Sequence, residues 1–120
     1  MQNFKFSYDD ENDDLFLHSA VSKSKGSVEL GNLIFDYNSK KELVGIEILN
    51  ASKVLGDLLS EEKTTVLKEV LMNLTECKIE INSRNKLLII KIFLSGKNIE
   101  LKPILSVPKI DGISPALAYA

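Results

Sequence analysis

The sequence has few of the residues on which disulfide-bonded, zinc-binding and many catalytic sites depend. Its 120 residues include one cysteine, one histidine and no tryptophan. The single cysteine, Cys77, excludes an intrachain disulfide framework, so the expected location is the reducing cytoplasm. One cysteine and one histidine also argue against a structural zinc site, because such sites commonly use four ligands of these two types.

The chain also lacks a large excess of positive or negative charge and any long apolar run. The formal net charge of −2 provides no basic excess that would bind the phosphates of nucleic acid. The strongly apolar run at residues 87–90 ends at Lys91, whereas a membrane-spanning helix needs about 20 apolar residues. The N-terminus turns acidic after Lys5 and lacks the pattern of a signal peptide. We therefore expect neither nucleic acid nor membrane as a partner.

Length and composition predict one domain, or one small domain with an extension. Apolar residues make up 44% of the chain and charged residues 27%, which is typical of a globular protein. A chain of this length can bury a core without disulfides or metals.

The first fifty residues have the apolar alternation of β-strands. The predicted strands cover residues 4–8, 15–18, 28–37 with a break at Gly31, and 43–49. The polar residues 9–14 between the first two strands predict a hairpin turn. Together these segments predict a four-stranded antiparallel meander. Gly45, inside the fourth strand, predicts the close approach of another group.

Apolar residues then recur at helical spacing over residues 51–59 and 66–74. Asn50 or Ser52 is expected to cap the start of the first helix, because a short side-chain oxygen accepts a free backbone N–H. Ser60 is expected to cap a second helix, since two glutamates follow it. Two helices, or one helix kinked near Gly56 to Ser60, fit the pattern equally.

The strand pattern returns after the helices, with turns between the strands. The predicted strands cover residues 77–82, 86–94 and 98–102. Pro103 and Pro108 place any further strand at a sheet edge or in a loop, because proline cannot donate to the ladder. The predicted fold class is therefore α+β: an antiparallel β-meander, central helices that cover one sheet face, and a second antiparallel β-meander.

Two segments carry a family resemblance. Residues 8–17, YDDENDDLFL, are similar to the motif Y-D-x-x-x-D-x-L-[FY]-[IL], and residues 44–52, VGIEILNAS, are similar to V-G-I-E-I-L-[ND]-A-S. Both motifs belong to a family of small, mostly uncharacterised prokaryotic proteins described as a domain of unknown function. Asp36 lies where that family often has an acidic residue.

The resemblance implies a small β-meander followed by a helix and attaches no catalytic role to the motifs. Some family members resemble the antitoxin-like partner of a small toxin pair. The resemblance places the family-like meander and helix in residues 1–59. Residues 60–120 are then an extension, a helix with three strands, that packs with the first part as one domain.

Five acidic residues lie within residues 9–14. Such a cluster could hold a hard cation through oxygen ligands. It lacks the glycine and the spacing of a calcium loop, because Asp14 stands at the glycine position counted from Asp9. A solvated hairpin turn is the favoured interpretation.

Glu47 lies between two isoleucines on a predicted strand. A buried Glu47 would have a raised pKa and could act as an acid or a base. The favoured alternative is that Glu47 points to solvent or pairs with a neighbouring lysine.

The remaining reactive residues favour structural roles. His18 shares a strand face with Phe16, which is typical of a surface or half-buried histidine, and Cys77 is expected to be a small buried apolar side chain. The apolar residues 107–120 are either an arm that docks on a partner or a second copy, or a segment folded over their own sheet.

The sequence predicts a protein that is not an enzyme, with no catalytic, cofactor-binding or metal-binding residue and no cofactor. The favoured function is a protein-interaction module, antitoxin-like or self-associating as a homodimer, whose partner is a second copy or a small protein. The alternative is a small-ligand or metal-binding protein that uses the acidic turn and Glu47.

Overall fold

The computed structural model describes residues 1–109, which form one antiparallel sheet and two helices. The strands are β1 (Gln2–Asp9), β2 (Asp14–Ser19), β3 (Gly26–Leu30), β4 (Leu33–Tyr37), β5 (Leu43–Ile48), β6 (Leu74–Arg84), β7 (Leu87–Gly96), β8 (Ile99–Leu101) and β9 (Ile104–Pro108). The helices are α1 (Ala51–Gly56) and α2 (Glu61–Met72). The α+β class is confirmed. Within this part of the chain, neither helix is long and apolar enough to cross a membrane.

The strand order is β3-β4-β5-β2-β1-β6-β7-β8, with β9 beside β7. The prediction of a simple N-terminal meander is therefore wrong, because β2 pairs with β5 rather than with β3. Residues 28–37 were also predicted as one broken strand, whereas β3 and β4 form a tight hairpin. Gly31 makes that turn possible because its φ of 60° is a left-handed conformation that glycine adopts without strain.

The C-terminal meander is confirmed, since β6, β7 and β8 are neighbours in chain order. β1 pairs with β6 through Gln2, Asn3 and Phe4, and this pairing joins the two halves into one sheet. β9 contains Pro108 and lies at the sheet edge, as the prolines predict.

The hydrophobic core lies on one face of the sheet, which we call the inner face. Alternate residues of each strand point to it, because successive side chains of a strand face opposite sides. Its fully buried members include Leu15, Leu17, Phe35, Ile46, Ile48, Ile90, Ile92 and Leu94. Both helices add buried side chains to the same cluster, and α2 contacts β7 and β8. The expectation that the helices cover one sheet face is met.

The two helices begin differently. Ser60 caps α2 as predicted, and its hydroxyl accepts a hydrogen bond from the Lys63 N–H at 3.3 Å. Asn50 precedes α1 in a left-handed conformation (φ 55°) and its side chain makes no capping bond. The prediction of Asn50 or Ser52 as the cap is therefore wrong, and a distant residue takes that role.

Gly45 on β5 lies against the side chain of Asp36 on β4. A Cβ atom at Gly45 would lie 2.8 Å from Asp36 Oδ2 and 3.2 Å from Asp36 Cβ. We expect Gly45→Val to lower the free energy of unfolding by about 1–3 kcal/mol through crowding. Urea unfolding of Gly45→Val, of Asp36→Ala and of the double variant measures this effect. Asp36→Ala opens space for the valine, so the double variant should lose less free energy of unfolding than the sum of the two single variants. Losses that add in the double variant would contradict the crowding explanation.

Candidate functional site

The acidic turn between β1 and β2 is organised by Asp9. Its carboxylate accepts hydrogen bonds from the backbone N–H groups of Glu11 (3.0 Å) and Asn12 (3.3 Å) and from Asn12 Nδ2 (2.7 Å). The bond from the Asn12 side chain, with those from the backbone, lowers the pKa of Asp9. The exposed carboxylate is thus used to close the turn, in agreement with the solvated-turn interpretation.

Asp13, from the same turn, is the centre of a polar cluster that joins the turn to both helices. The Tyr8 hydroxyl donates to Asp13 Oδ1 at 2.6 Å, and the Ser52 hydroxyl donates to Asp13 Oδ2 at 2.6 Å. Lys68 Nζ on α2 donates to the Tyr8 oxygen at 2.6 Å and lies 3.9 Å from Asp13 Oδ1. We call Tyr8, Asp13, Ser52 and Lys68 the Asp13 cluster.

Asp13 caps α1 across 39 positions of sequence. Its main-chain carbonyl accepts from the Ala51 N–H at 2.8 Å, and its carboxylate accepts from the Ser52 N–H at 3.1 Å. These are N–H groups that a helix cannot satisfy internally. The φ of 56° at Asp13 is a left-handed conformation that aspartate tolerates better than most residues. The turn geometry thus directs Asp13 to the helix.

The electrostatics of the cluster favour the ionised form of Asp13. Desolvation alone would raise its pKa, but hydrogen bonds from Ser52 and Tyr8 and the charge of Lys68 together lower the pKa. An efficient general base has a pKa near the working pH. Asp13 is therefore poorly suited to activate the Ser52 hydroxyl at neutral pH, and the cluster is suited to joining β1, α1 and α2.

The lowered pKa predicts an acid-dependent contribution to stability. A carboxyl with a lower pKa in the folded chain stabilises the fold above its unfolded pKa of about 3.9, and that contribution disappears as the pH falls through the folded pKa. We expect the free energy of unfolding to fall more steeply below about pH 4 in the native chain than in Asp13→Asn. Urea unfolding between pH 6 and pH 2.5 measures both. Parallel pH profiles would contradict the assignment.

Glu47 lies on the outer face of the sheet, opposite Phe16 of β2 and Ile34 of β4. Asp13 instead bonds to Tyr8, which packs against the inner-face core. The structure therefore does not bring the acidic turn and Glu47 together on one concave surface. Within residues 1–109, no three acidic, histidine or cysteine side chains lie close enough to hold a metal ion.

His18 and Cys77 lie where the strand pattern predicts them. His18 is half-buried beside Phe16, with ring centroids 5.2 Å apart, and its shielded Nδ1 has no hydrogen-bond partner within residues 1–109. Cys77 is 1% exposed, and desolvation raises its pKa to about 12. A thiol of that pKa stays protonated at neutral pH and is a poor nucleophile.

The sheet edge beside β7 is the second notable surface. Leu101 lies opposite Leu94 and Ile104 lies opposite Lys91, so β8 and β9 follow one register on β7 without a shift. The Pro103 carbonyl accepts from the Ile92 N–H at 3.0 Å, which bridges the gap between the two strands. We call residues 99–108 the β8–β9 edge.

The backbone groups of this edge alternate in direction. Pro103 and Lys109 both bond to the β7 side, so odd-numbered residues face β7 and even-numbered residues face away from the sheet. The N–H and C=O groups of Lys102, Ile104 and Ser106 therefore point outward. β7 is the one strand that β9 pairs with in the described part of the chain.

Comparison with known proteins decides the family. An uncharacterised protein of Methanocaldococcus jannaschii is 36% identical over 88 residues, which cover 70% of this chain and 73% of that protein. The chain belongs to a family of proteins of unknown function. The model of this family, described as protein of unknown function (DUF2283), matches residues 5–52.

A second relative, from Methanosarcina mazei, is provisionally named a hypoxanthine phosphoribosyltransferase. It is 30% identical over 96 residues, which cover 78% of this chain and 71% of the relative. No solved structure matches the chain. The predicted resemblance to a family of small proteins of unknown function is thus confirmed.

The family segment contains three of the four residues of the Asp13 cluster. It begins within β1, includes Tyr8 and Asp13, and ends at Ser52. Sequence reasoning missed the cluster because it treated the acids of the turn as one group. The two motifs could have indicated it, because Tyr8 and Asp13 are specified positions of the first motif and Ser52 is the last position of the second.

Proposed function

We propose that this protein is a non-catalytic interaction module that self-associates as a homodimer through the β8–β9 edge. The observation that carries the proposal is the outward direction of the backbone groups of Lys102, Ile104 and Ser106. Unpaired N–H and C=O groups at a sheet edge are a template for another strand. A second copy of the chain supplies a strand of matching length and pattern.

The middle of the β8–β9 edge has little of the protection that edge strands commonly carry. Ile104 is 46% exposed, and Ser106 beside it is exposed and uncharged. Lys102 protects one end, and Pro108, which has no N–H, ends the row of donors at the other. Lys102, Ile104 and Ser106 thus offer outward donors and acceptors at an exposed isoleucine and on both sides of it.

The opposite edge of the sheet, β3, is less suited to pairing. β3 has five residues, and Lys23 and Lys25 lie in the segment before it. Short length and nearby lysines are common ways to prevent edge pairing. The β8–β9 edge extends over residues 99–108, so it provides the longer ladder.

A two-fold axis through Ile104 gives a self-complementary register. Ile104 then lies opposite Ile104 of the second copy, and Lys102 lies opposite Ser106 of the second copy, in both directions. Closed two-fold pairing of this kind uses the same patch on both copies. The exposed Ile104 side chains meet as a cross-strand apolar pair.

Ser106→Pro tests this interface. The Ser106 N–H faces outward, so proline removes a dimer donor without removing a bond to β7. We expect the dimer to be weaker by about 5- to 150-fold, because two hydrogen bonds of about 0.5–1.5 kcal/mol each are lost. Light-scattering mass across a dilution series measures this, against a protomer mass of 13.4 kDa.

Ser106→Ala is the matched control, because it changes the same side chain and keeps the N–H. We expect it to dimerise as the native chain does. A native chain that stays monomeric at high micromolar concentration would refute the homodimer. A dimer equally strong in all three proteins would place the interface elsewhere and refute the edge.

A further inference from the structure

A cavity of about 470 Å³ opens at the end of the sheet away from the helices. Its apolar wall residues are Tyr37 and Leu43 from β4 and β5, and Ile79, Ile81 and Leu88 from β6 and β7. These lie at the strand ends opposite to those that join α1 and α2. The apolar arm predicted over residues 107–120 lies outside the described residues beyond Lys109, and the site is built from the described residues alone.

Tyr37 brings a buried hydroxyl to the cavity wall. Its side chain is 3% exposed, and within residues 1–109 the hydroxyl has no hydrogen-bond partner. Burial raises the pKa of Tyr37 to about 12, so the hydroxyl keeps its proton at neutral pH and can donate a hydrogen bond. A buried tyrosine hydroxyl usually has a partner, because an unmade bond costs free energy. The Tyr37 hydroxyl is therefore a donor that a ligand can use.

Two lysines lie at the rim of the cavity. Lys41 and Lys109 line it together with Glu42, and neither lysine is in an ion pair within residues 1–109. The Glu42 carboxylate accepts a hydrogen bond from Asn38 Nδ2 at 2.9 Å, so the adjoining loop already engages it. Two positive side chains beside one negative side chain make the rim attractive to an anion.

The loop between β4 and β5 holds Lys41 at the rim. Asn38 Oδ1 accepts from the N–H groups of Lys40 at 2.9 Å and Glu42 at 3.0 Å, and the Asn38 carbonyl accepts from the Lys41 N–H at 3.0 Å. Lys41 has a φ of 63°, a left-handed conformation that glycine or asparagine adopts more readily. Residues held in such conformations cluster at functional sites. A lysine at this position supplies a charge that glycine would not.

We propose that this cavity binds an amphipathic monocarboxylate, with its apolar chain against Ile79 and Leu88 and its carboxylate held by the Tyr37 hydroxyl and the Lys41 ammonium. The two oxygens of one carboxylate match one hydroxyl donor and one ammonium. None of the described residues at the cavity belongs to a helix, so the N–H groups with which a helix start binds phosphate do not line it. The donor set thus favours a carboxylate over a phosphate.

The size of the cavity fits a medium-length apolar chain. Ligand-binding clefts commonly measure about 300–1,000 Å³ and have mostly apolar walls with a few polar groups. A cavity of about 150 Å³ holds benzene, so about 470 Å³ has room for an eight-carbon chain and its carboxylate. Ile81 is 39% exposed at the wall, so the chain of the ligand also covers apolar surface that faces water.

Titration of the full native chain with octanoate, followed by methyl NMR, tests the proposal. We expect saturable shifts at the methyl groups of Ile79, Ile81 and Leu88, with a dissociation constant of about 1 mM or tighter. The methyl groups of Leu67, which is buried on α2, should stay constant. No saturable shift at the cavity up to about 10 mM octanoate, or equal shifts at Leu67, would overturn the proposal.

Lys41→Met tests the role of charge, with Lys40→Met as the matched control. Each change removes one positive charge from the same loop, but only Lys41 lines the cavity. We expect Lys41→Met to weaken octanoate binding by about three- to tenfold, and Lys40→Met to leave it unchanged. Binding of 1-octanol, which has the same chain without the charge, should be equal in both variants. Equal octanoate affinities of the two variants would overturn the proposal.

Two changes at the wall test the position of the ligand. Tyr37→Phe removes only the hydroxyl, and we expect octanoate to bind about two- to twelvefold more weakly. Ile81→Trp adds bulk at a partly exposed position and should abolish binding, whereas Leu58→Trp, at a position 40% exposed away from the cavity, should not. Octanoate binding that survives Ile81→Trp would place the ligand outside the cavity and overturn the proposal.

Ser106→Pro separates this site from the edge dimer, because Ser106 does not line the cavity. The same octanoate titration of Ser106→Pro is expected to give the affinity of the native chain. Failure of the homodimer and failure of the carboxylate site are therefore distinguishable.

Discussion

Replacing Asp13 with alanine is expected to lower the free energy of unfolding by about 2–4 kcal/mol. Hydrogen bonds to a charged group contribute about 1.5–3 kcal/mol, and loss of a helix cap costs about 0.5–2 kcal/mol. Asp13 makes both kinds of contact, through the Tyr8 hydroxyl and through the N–H and hydroxyl of Ser52. Urea unfolding at pH 7 measures the loss.

Three variants separate the causes. Asp13→Gly removes the same side chain, but glycine adopts the left-handed backbone conformation without strain. The difference in free energy of unfolding between Asp13→Gly and Asp13→Ala therefore measures how much of the loss comes from backbone strain. A double-mutant cycle, in which Asp13 and Ser52 are changed to alanine singly and together, measures the coupling energy between the two side chains. Asp10→Asn removes a charge from the exposed part of the turn and should change stability by less than about 0.5 kcal/mol. Equal losses in Asp10→Asn and Asp13→Ala would refute the special role of Asp13.

Gly96→Ala is expected to lower the free energy of unfolding by about 3 kcal/mol. A Cβ atom at Gly96 would lie 2.6 Å from the Asn73 carbonyl oxygen and 3.0 Å from the Val70 carbonyl oxygen. Both are backbone atoms at the C-terminal end of α2, so relief requires the helix end to move away from β7. Overpacking of this kind commonly costs about 1–3 kcal/mol, and a clash with backbone lies at the upper end.

Gly56→Ala is the matched control, since its Cβ atom would lie 3.4 Å from Thr64 Cγ2, an ordinary contact. Alanine there also improves helix propensity, by up to about 1 kcal/mol. We expect Gly56→Ala to melt at or above the native temperature, and Gly96→Ala to melt well below it. Similar melting of the two variants would show that α2 is not held tightly against β7.

The local part of the fold could be predicted from apolar spacing. Alternation over β1 and β2 predicted a hairpin, and the change to helical spacing after β5 predicted α1 and α2. The order of strands could not be predicted in this way, because alternation identifies the buried face of a strand and not its neighbour. The pairing of β2 with β5 depends on contacts between residues that are distant in sequence.

Local rules also failed where a distant group replaced a local one. Asn50 has the residue type of a cap, yet Asp13 supplies the capping carboxylate from another turn. Leu43 and Val44 are neighbours that should face opposite sides, yet both are buried. The register between β4 and β5 shifts there, because Tyr37 pairs with Leu43 and Asp36 pairs with Gly45, so Val44 lies in the irregularity. The candidate site was missed for the same reason, since its residues come from β1, the acidic turn, α1 and α2.

The narrow joint between β1 and β6 has a consequence for how the molecule assembles. Pairs within the β1–β2 and β6–β7 hairpins join residues close in sequence, whereas Phe4 and Cys77 lie about 70 positions apart. Closing so long a loop costs more chain entropy than closing a hairpin, so distant contacts form late. We expect the family segment and the β6–β7 hairpin to form as separate folding units, and the three-residue joint between them to close last and open first.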